Sequence, residues 1–138
     1  MNDLQEFAEQ VLAAQPFSRL VGARLTASGP DHAELTIEVT EDLTQQHGFV
    51  HGGVVGYLAD NAITFAGGLS LGGDALTSEY KINYLRPATG PVLVARAHAA
   101  SVGTRQAVCR CEIYNVADGQ ERVCAIAQGT VVPVPARP

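Results

Sequence analysis

The chain has 138 residues, a formal net charge of −5, 46% hydrophobic and 17% charged residues, which suits one globular domain spanning 1–138 and excludes intrinsic disorder. Its nine Lys and Arg residues are scattered, so the basic block that grips nucleic acid is absent. The opening MNDLQEFAEQ has no basic segment followed by an apolar run, and Cys109, Cys111 and Cys124 make an odd set without a CxxC pair. The expectation is a cytoplasmic protein with free buried thiols, no disulfide framework and no zinc site.

Leu4, Phe7, Ala8, Val11 and Leu12 recur at helical spacing, predicting a helix over about 3–14 that Asn2 caps and Pro16 follows. Leu20–Thr26 is predicted to be a strand, paired across the Ser28-Gly29-Pro30 turn with a second strand in which Ala33, Leu35, Ile37 and Val39 alternate with polar residues. A polar loop, Thr40–Gln46, leads into a run with a single formal charge between Leu43 and Gly73, that of Asp60. Its apolar heart is too long for a typical strand and apolar all round, so a buried helix over about 52–68 is predicted. A membrane span is set aside, because it would put Asp60, Asn61 and Thr64 near the bilayer centre without basic anchors at its ends.

Strand-like runs follow at about Leu76–Leu85, Val92–Val102, Ala107–Val116 and Arg122–Val132, separated by Pro87-Ala88-Thr89-Gly90, Gly103-Thr104 and the hairpin pair Asp118-Gly119. The inward faces Leu93/Ala95/Ala97/Ala99 and Ala107/Cys109/Cys111/Ile113 carry many small residues, which let a helix approach the sheet closely. The proline-rich end, about 133–138, is predicted to fray. The order of elements predicts an α+β domain with a mostly antiparallel sheet wrapped around one central helix.

The chemistry collects on that helix. His51-Gly52-Gly53 stands where loop becomes helix. The first N–H groups of a helix lack intrahelical partners and sit at the positive end of its dipole, so an oxyanion is stabilised there. The glycines also admit a plainer reading, tight packing of helix on sheet. Asp60 is the second piece, a carboxylate in apolar company with Asn61 beside it and Thr64 one turn on. It reads as a nucleophile or general base, or as a carboxylate satisfied by its neighbours. Gly52 and Asp60 are eight residues apart, roughly 12 Å along one helix, so one carbonyl cannot touch both within a chain. Two copies packed antiparallel across a two-fold axis would bring Gly52 of one against Asp60 of the other.

QQHGFVHGGVVGYLADNAITFAGG followed by LTSEYKINYLRPATG resembles the hot-dog-fold thioesterases, in particular the PaaI-like acyl-CoA thioesterases, over roughly Val21 to Val132. The resemblance implies a curved antiparallel sheet around a long helix, dimers that pair again into tetramers, and hydrolysis of acyl-CoA or of acyl groups on carrier proteins without a further cofactor. It implies that Asp60 is the nucleophile or general base, that the Gly52 N–H polarises the thioester carbonyl with His51 beside it, and that Gln45 orients water or thioester. It further implies a hydroxyl role for Thr64, water positioning for Thr77, and a CoA-phosphate contact for Arg105; Gly53 at the helix start and Asn61 beside Asp60 are expected to contact substrate. Asp in place of the Glu of one branch, and Gln in place of the Asn of another, leave the subfamily open.

Several signals are set aside. Gly68-Leu69-Ser70-Leu71-Gly72 matches G-x-S-x-G but follows a helix rather than a strand. His47 and His51 have no further ligands to complete a metal shell, and His32 and His98 read as exposed strand residues. Tyr57, Phe65 and Tyr80 suit either an acyl pocket or the core. Two other functions compete: a non-catalytic acyl-CoA sensor, which would not need Asp60, and a hot-dog dehydratase or hydratase, which pairs a loop histidine with an acid.

Overall fold

The weakly charged run becomes the longest helix of the chain. In the computed structural model, which describes residues 3–135, α1 (Asp3–Ala13) and α2 (Pro16–Val21) lead into strands β1 (Arg24–Ser28) and β2 (His32–Glu38), then helix α3 (Gly52–Leu71), then β3 (Ala75–Tyr84), β4 (Val92–Val102), β5 (Ala107–Ala117) and β6 (Gln120–Pro133). One six-stranded sheet runs β1-β2-β4-β5-β6-β3, and every pairing is antiparallel. Asp118 and Gly119 take positive φ (51° and 75°) between paired Ala117 and Gln120, as a two-residue hairpin matching strand twist requires.

Helix α3 lies on one face of this sheet. Its Val55, Leu58, Ala59, Ala62, Ile63 and Ala66 are buried in one cluster with Leu35, Ile37, Leu93, Ala95, Cys109 and Ile113. Of the small residues expected on the inner face, Ala95, Ala97, Ala107, Cys109 and Cys111 are buried, while Ala99 is only partly buried. Closeness is greatest at Gly67, where an added Cβ would stand 2.6 Å from the Val131 Cβ. Glycine there is a requirement of helix–sheet distance rather than of backbone freedom. The three cysteines are free and buried, and burial pushes the Cys109 thiol up to about 11 and the Cys111 thiol up to about 12.

Some expectations need correction. The strand expected over Leu20–Thr26 forms and pairs with β2 as expected, but it starts later: Pro16 starts α2, Gly22 ends it at φ 76°, and β1 begins at Arg24. Pro16 serves less to stop α1 than to open the next helix, since its fixed φ suits a first helical position. Helix α3 runs beyond residue 68 to Leu71, where Gly72 at φ 82° caps it. The end of the chain is tied down further than expected, because β6 includes Pro133 and the Val134 N–H donates to the Asp74 carbonyl at 3.0 Å. The proposed Asn2 cap and residues 136–138 lie outside the described residues. No helix among the described residues is long and apolar enough to cross a membrane.

Candidate active site

The start of α3 is built by its own cap. His51 is the N-cap residue, and its Nδ1 accepts the Gly53 N–H at 2.8 Å. A neutral imidazole accepting at Nδ1 carries its proton on Nε2, so the exposed His51 ring offers a donor. The Gly53 N–H is thereby occupied. The Gly52 N–H, which no helical carbonyl reaches, donates to no acceptor among the described residues. The Gly52 carbonyl is held from outside, by the Tyr84 hydroxyl donating at 3.0 Å. Tyr84 and Tyr80 project from β3 over the first turns of α3: a Cβ at Gly52 would sit 3.6 Å from the Tyr84 hydroxyl, and one at Gly56 3.2 Å from the Tyr80 hydroxyl.

Asp60 stands two turns further on, half-buried. Its Oδ1 accepts from the Thr77 hydroxyl at 2.5 Å and from the Thr64 hydroxyl at 3.4 Å. Thr64 and Thr77 touch each other at 2.5 Å, and Thr64 also reaches the Asp60 backbone carbonyl at 2.8 Å. Oδ2 has no hydrogen-bond partner among the described residues. The carboxylate is therefore oriented through one oxygen and left with open lone pairs on the other. Burial, and then the negative charge of Asp60, push the Tyr80 phenol above its ordinary value, placing that ring within the carboxylate's field.

The structure thus brings Asp60, Thr64 and Thr77 together, and His51 with Gly52 and Gly53. It keeps the two groups apart: Gly52 and Asp60 share one unbroken helix, which separates them by roughly 12 Å. Gln45 lies in the loop before α3, where its Oε1 accepts the His47 N–H at 2.6 Å and its backbone N–H donates to Phe49 at 2.8 Å. Asn61 turns away from Asp60, its Nδ2 donating to Gln15 Oε1 (3.0 Å), the Tyr57 hydroxyl (3.2 Å) and Ser18 Oγ (3.4 Å). Arg105 sits in the exposed β4–β5 turn. That turn adjoins the strand ends where Ala107 pairs with Val131, the residue facing Gly67. Within one chain it therefore belongs to the far end of α3 from Gly52.

Sequence reasoning missed the Tyr84 contact and a basic cavity. A cavity of about 520 Å³ is bordered by Phe49, Arg86, Thr89, Asn115 and Arg122. It lies beside the start of α3, since the Val50 N–H bonds Ala88 at 2.8 Å. Arg86 bonds the Val123 carbonyl, and neither arginine pairs with a carboxylate among the described residues. The four-residue spacing of Tyr80 and Tyr84 along one strand was the available signal for the first. The second had none, because Arg86 and Arg122 reach one cavity only through tertiary contacts, Arg86 by bonding Cys124 and Val123 of β6 beyond the end of β3.

The profile of the thioesterase superfamily matches residues 47–122, the stretch that carries His51, Gly52, Asp60, Thr64 and Thr77. The chain belongs to the thioesterase superfamily. A thioesterase family protein of Silicibacter pomeroyi superposes with a TM-score of 0.87 at 33% identity, covering 94% of this chain and 96% of that one. The Escherichia coli PaaI protein from the phenylacetic acid degradation operon superposes at 0.86 with 25% identity, covering 96% and 94%. Human acyl-coenzyme A thioesterase 13 is 30% identical over 129 residues, 91% of this chain and 89% of that protein. The α+β sheet-and-helix architecture is accordingly the hot-dog fold of this superfamily. Within it, G-x-S-x-G falls in the last turn of α3, where the Ser70 hydroxyl donates to the Ala66 carbonyl at 2.7 Å and is spent on its own helix. No cluster of three or more metal-ligating side chains occurs among the described residues.

Proposed function

We propose that this superfamily member hydrolyses acyl-CoA thioesters to free acid and CoA at a site shared by two copies of the chain. The observation that carries the reading is Asp60: Thr64 and Thr77 hold one oxygen while the other is open, on a helix whose first N–H is also open. The thioester carbonyl accepts from the Gly52 N–H and from His51 Nε2 of one copy. Asp60 of the other copy takes a proton from water as the water oxygen bonds the carbonyl carbon; the C–S bond then breaks and the thiolate leaves, regaining a proton. Attack by Oδ2 itself, followed by hydrolysis of the anhydride, gives the same products. Pre-oriented donors aimed at the developing oxyanion contribute most in a site from which water is largely excluded. The CoA phosphates are assigned to Arg86 and Arg122 beside the start of α3 rather than to Arg105. A homodimer is the smallest active unit, and a pair of such dimers, or an acyl carrier protein as donor, is compatible with it.

The test is a panel of acyl-CoA thioesters assayed for thiol release, run beside an enoyl-CoA hydration assay. Thiol release without hydration supports the reading. Tight binding without release would make the protein a sensor, and hydration without release would make it a hydratase using His51 and Asp60.

A further inference from the structure

A second cavity of about 500 Å³ lies between α1 and the half of α3 that follows Asp60. That is within the range of about 300–1,000 Å³ usual for small-molecule sites. One stripe of α3 lines it, Asn61, Thr64, Phe65, Gly68 and Leu69, continued by the cap residue Gly72, at the spacing that puts residues on a single helix face. The opposite face of α3 is the one buried on the sheet, so the cavity opens on the other side of the helix, with Ala8 and Phe65 of the core in its wall.

Its polarity is graded. At one end stand Thr64, which bonds Asp60, and the pair Gln15 and Asn61, bonded at 3.0 Å. From there the walls turn apolar, with Phe7 and Val11 of α1 facing Phe65 and Leu69 of α3, and with Leu4 and Val134 further along. Ala75 of β3 closes one side, two residues before Thr77, which grips Asp60 at 2.5 Å. From Asn61 to Gly72 the stripe extends for roughly 16 Å. Asp74 is the charged side chain on the wall, and it would repel a carboxylate.

Resting on the thioesterase reading, we propose that this groove holds the acyl chain of the substrate, and that the chain is linear, uncharged and of medium to long length. The reacting carbonyl lies at the polar end beside Asp60 and Thr64, and the alkyl tail runs between α1 and α3 toward Leu4 and Val134. Phe7, 58% exposed, is an apolar side chain left uncovered where such a tail would cover it. Val11 and Ala75 then set chain length from opposite walls.

The experiment compares kcat/KM for acetyl-, octanoyl-, dodecanoyl- and succinyl-CoA in the wild type, Val11→Phe and Ala75→Phe, with melting temperature and oligomeric state recorded for each. The wild type is expected to prefer octanoyl- or dodecanoyl-CoA to acetyl-CoA by at least about tenfold, because even single methylenes discriminate on that scale in apolar pockets; succinyl-CoA is expected to be the poorest substrate. Each phenylalanine is expected to lower the dodecanoyl-to-acetyl ratio by about tenfold or more. The substitutions enter from different walls, so one that fails to fold leaves the other decisive. Leu69→Ala, which widens the groove, should shift the ratio the opposite way. Thiol release with an unchanged chain-length profile in both variants overturns the groove assignment and leaves the thioesterase reading standing. A changed dimerisation constant with an unchanged profile also overturns it, making the groove a contact between copies. No thiol release from any thioester overturns both readings together.

Discussion

Mixing two inactive variants tests the shared site directly. Gly52→Pro removes the open N–H at the start of α3. The backbone accepts it: proline suits the first helical position, and His51 at φ −58°, ψ 135° already occupies the region that proline demands of its predecessor. The side-chain space is also there, since a Cβ at Gly52 meets nothing closer than 3.6 Å. Asp60→Ala removes the carboxylate and leaves Thr64 and Thr77 bonded to each other. Each variant alone builds dimers with two broken sites. In a mixed dimer the intact Gly52 of one chain faces the intact Asp60 of the other, while the second site carries both defects. With random isologous pairing about half the dimers are mixed, each with one good site of two, so refolding equal amounts together should restore about a quarter of wild-type activity. The assay is thiol release from an acyl-CoA, after each variant alone has been shown to fold and dimerise. With both folded, no recovery on mixing would refute the cross-copy site.

Asp60→Asn keeps the threonine contacts and should bind acyl-CoA while turning it over at least about 100-fold more slowly, the scale of a lost acid–base group; steady-state turnover within threefold of wild type would return Asp60 to a structural role. Gly67→Ala drives a methyl to 2.6 Å from the Val131 Cβ, and denaturant melts should show a loss of about 1–3 kcal/mol, typical of overpacking; an unchanged midpoint would refute the close approach of helix and sheet. The Cys111 thiol, raised by burial from 9.0 to about 12, stays protonated in the fold after it would ionise in the unfolded chain. Its contribution to stability is therefore complete below pH 9 and lost as pH rises from there toward 12. Thermal melts across that range should fall less steeply for Cys111→Ala than for wild type.

The elements legible in the sequence were those with one dominant cause. The single charge between Leu43 and Gly73 marked α3 and Asp60 together, and Asp118-Gly119 marked the β5–β6 hairpin. The start of the strand expected over Leu20–Thr26 was misplaced because its alternation is weak, while Pro16 and Gly22 act through backbone torsion, a cause that hydrophobic period does not register. Of the site, Thr64 was visible because it is one helical turn from Asp60. Thr77 reaches Asp60 from another element, and its placement depends on where β3 runs past α3, with a bulge between Thr77 and Glu79 in its pairing with β6. Tyr84 against Gly52, and Arg86 beside Arg122, are long-range meetings that no local pattern encodes. The cap that His51 makes on the Gly53 N–H is set by local backbone geometry rather than by any pattern of residue types.

That capping arrangement is informative about what the start of α3 needs. Ser, Thr, Asn and Asp are the usual N-caps, because each accepts an N–H of the first turn. Asp at position 51 would cap equally well, yet it would set a full negative charge beside the N–H to which an oxyanion is assigned. A hydroxyl would cap without that charge but would leave no second donor reaching outward. A neutral imidazole does both jobs from opposite sides of one ring: Nδ1 satisfies the Gly53 N–H, and the bond it makes fixes the proton on Nε2. Tyr84 completes the arrangement by holding the Gly52 carbonyl, so that the first peptide of the helix, between Gly52 and Gly53, is held at both its N–H and its carbonyl. The helix start is thus stabilised through groups other than the Gly52 N–H, which leaves that donor open. The same division recurs at Asp60, where Thr64 and Thr77 orient one oxygen and the other stays open. Each half of the proposed site is held rigid by contacts that avoid the atom assigned to the reaction.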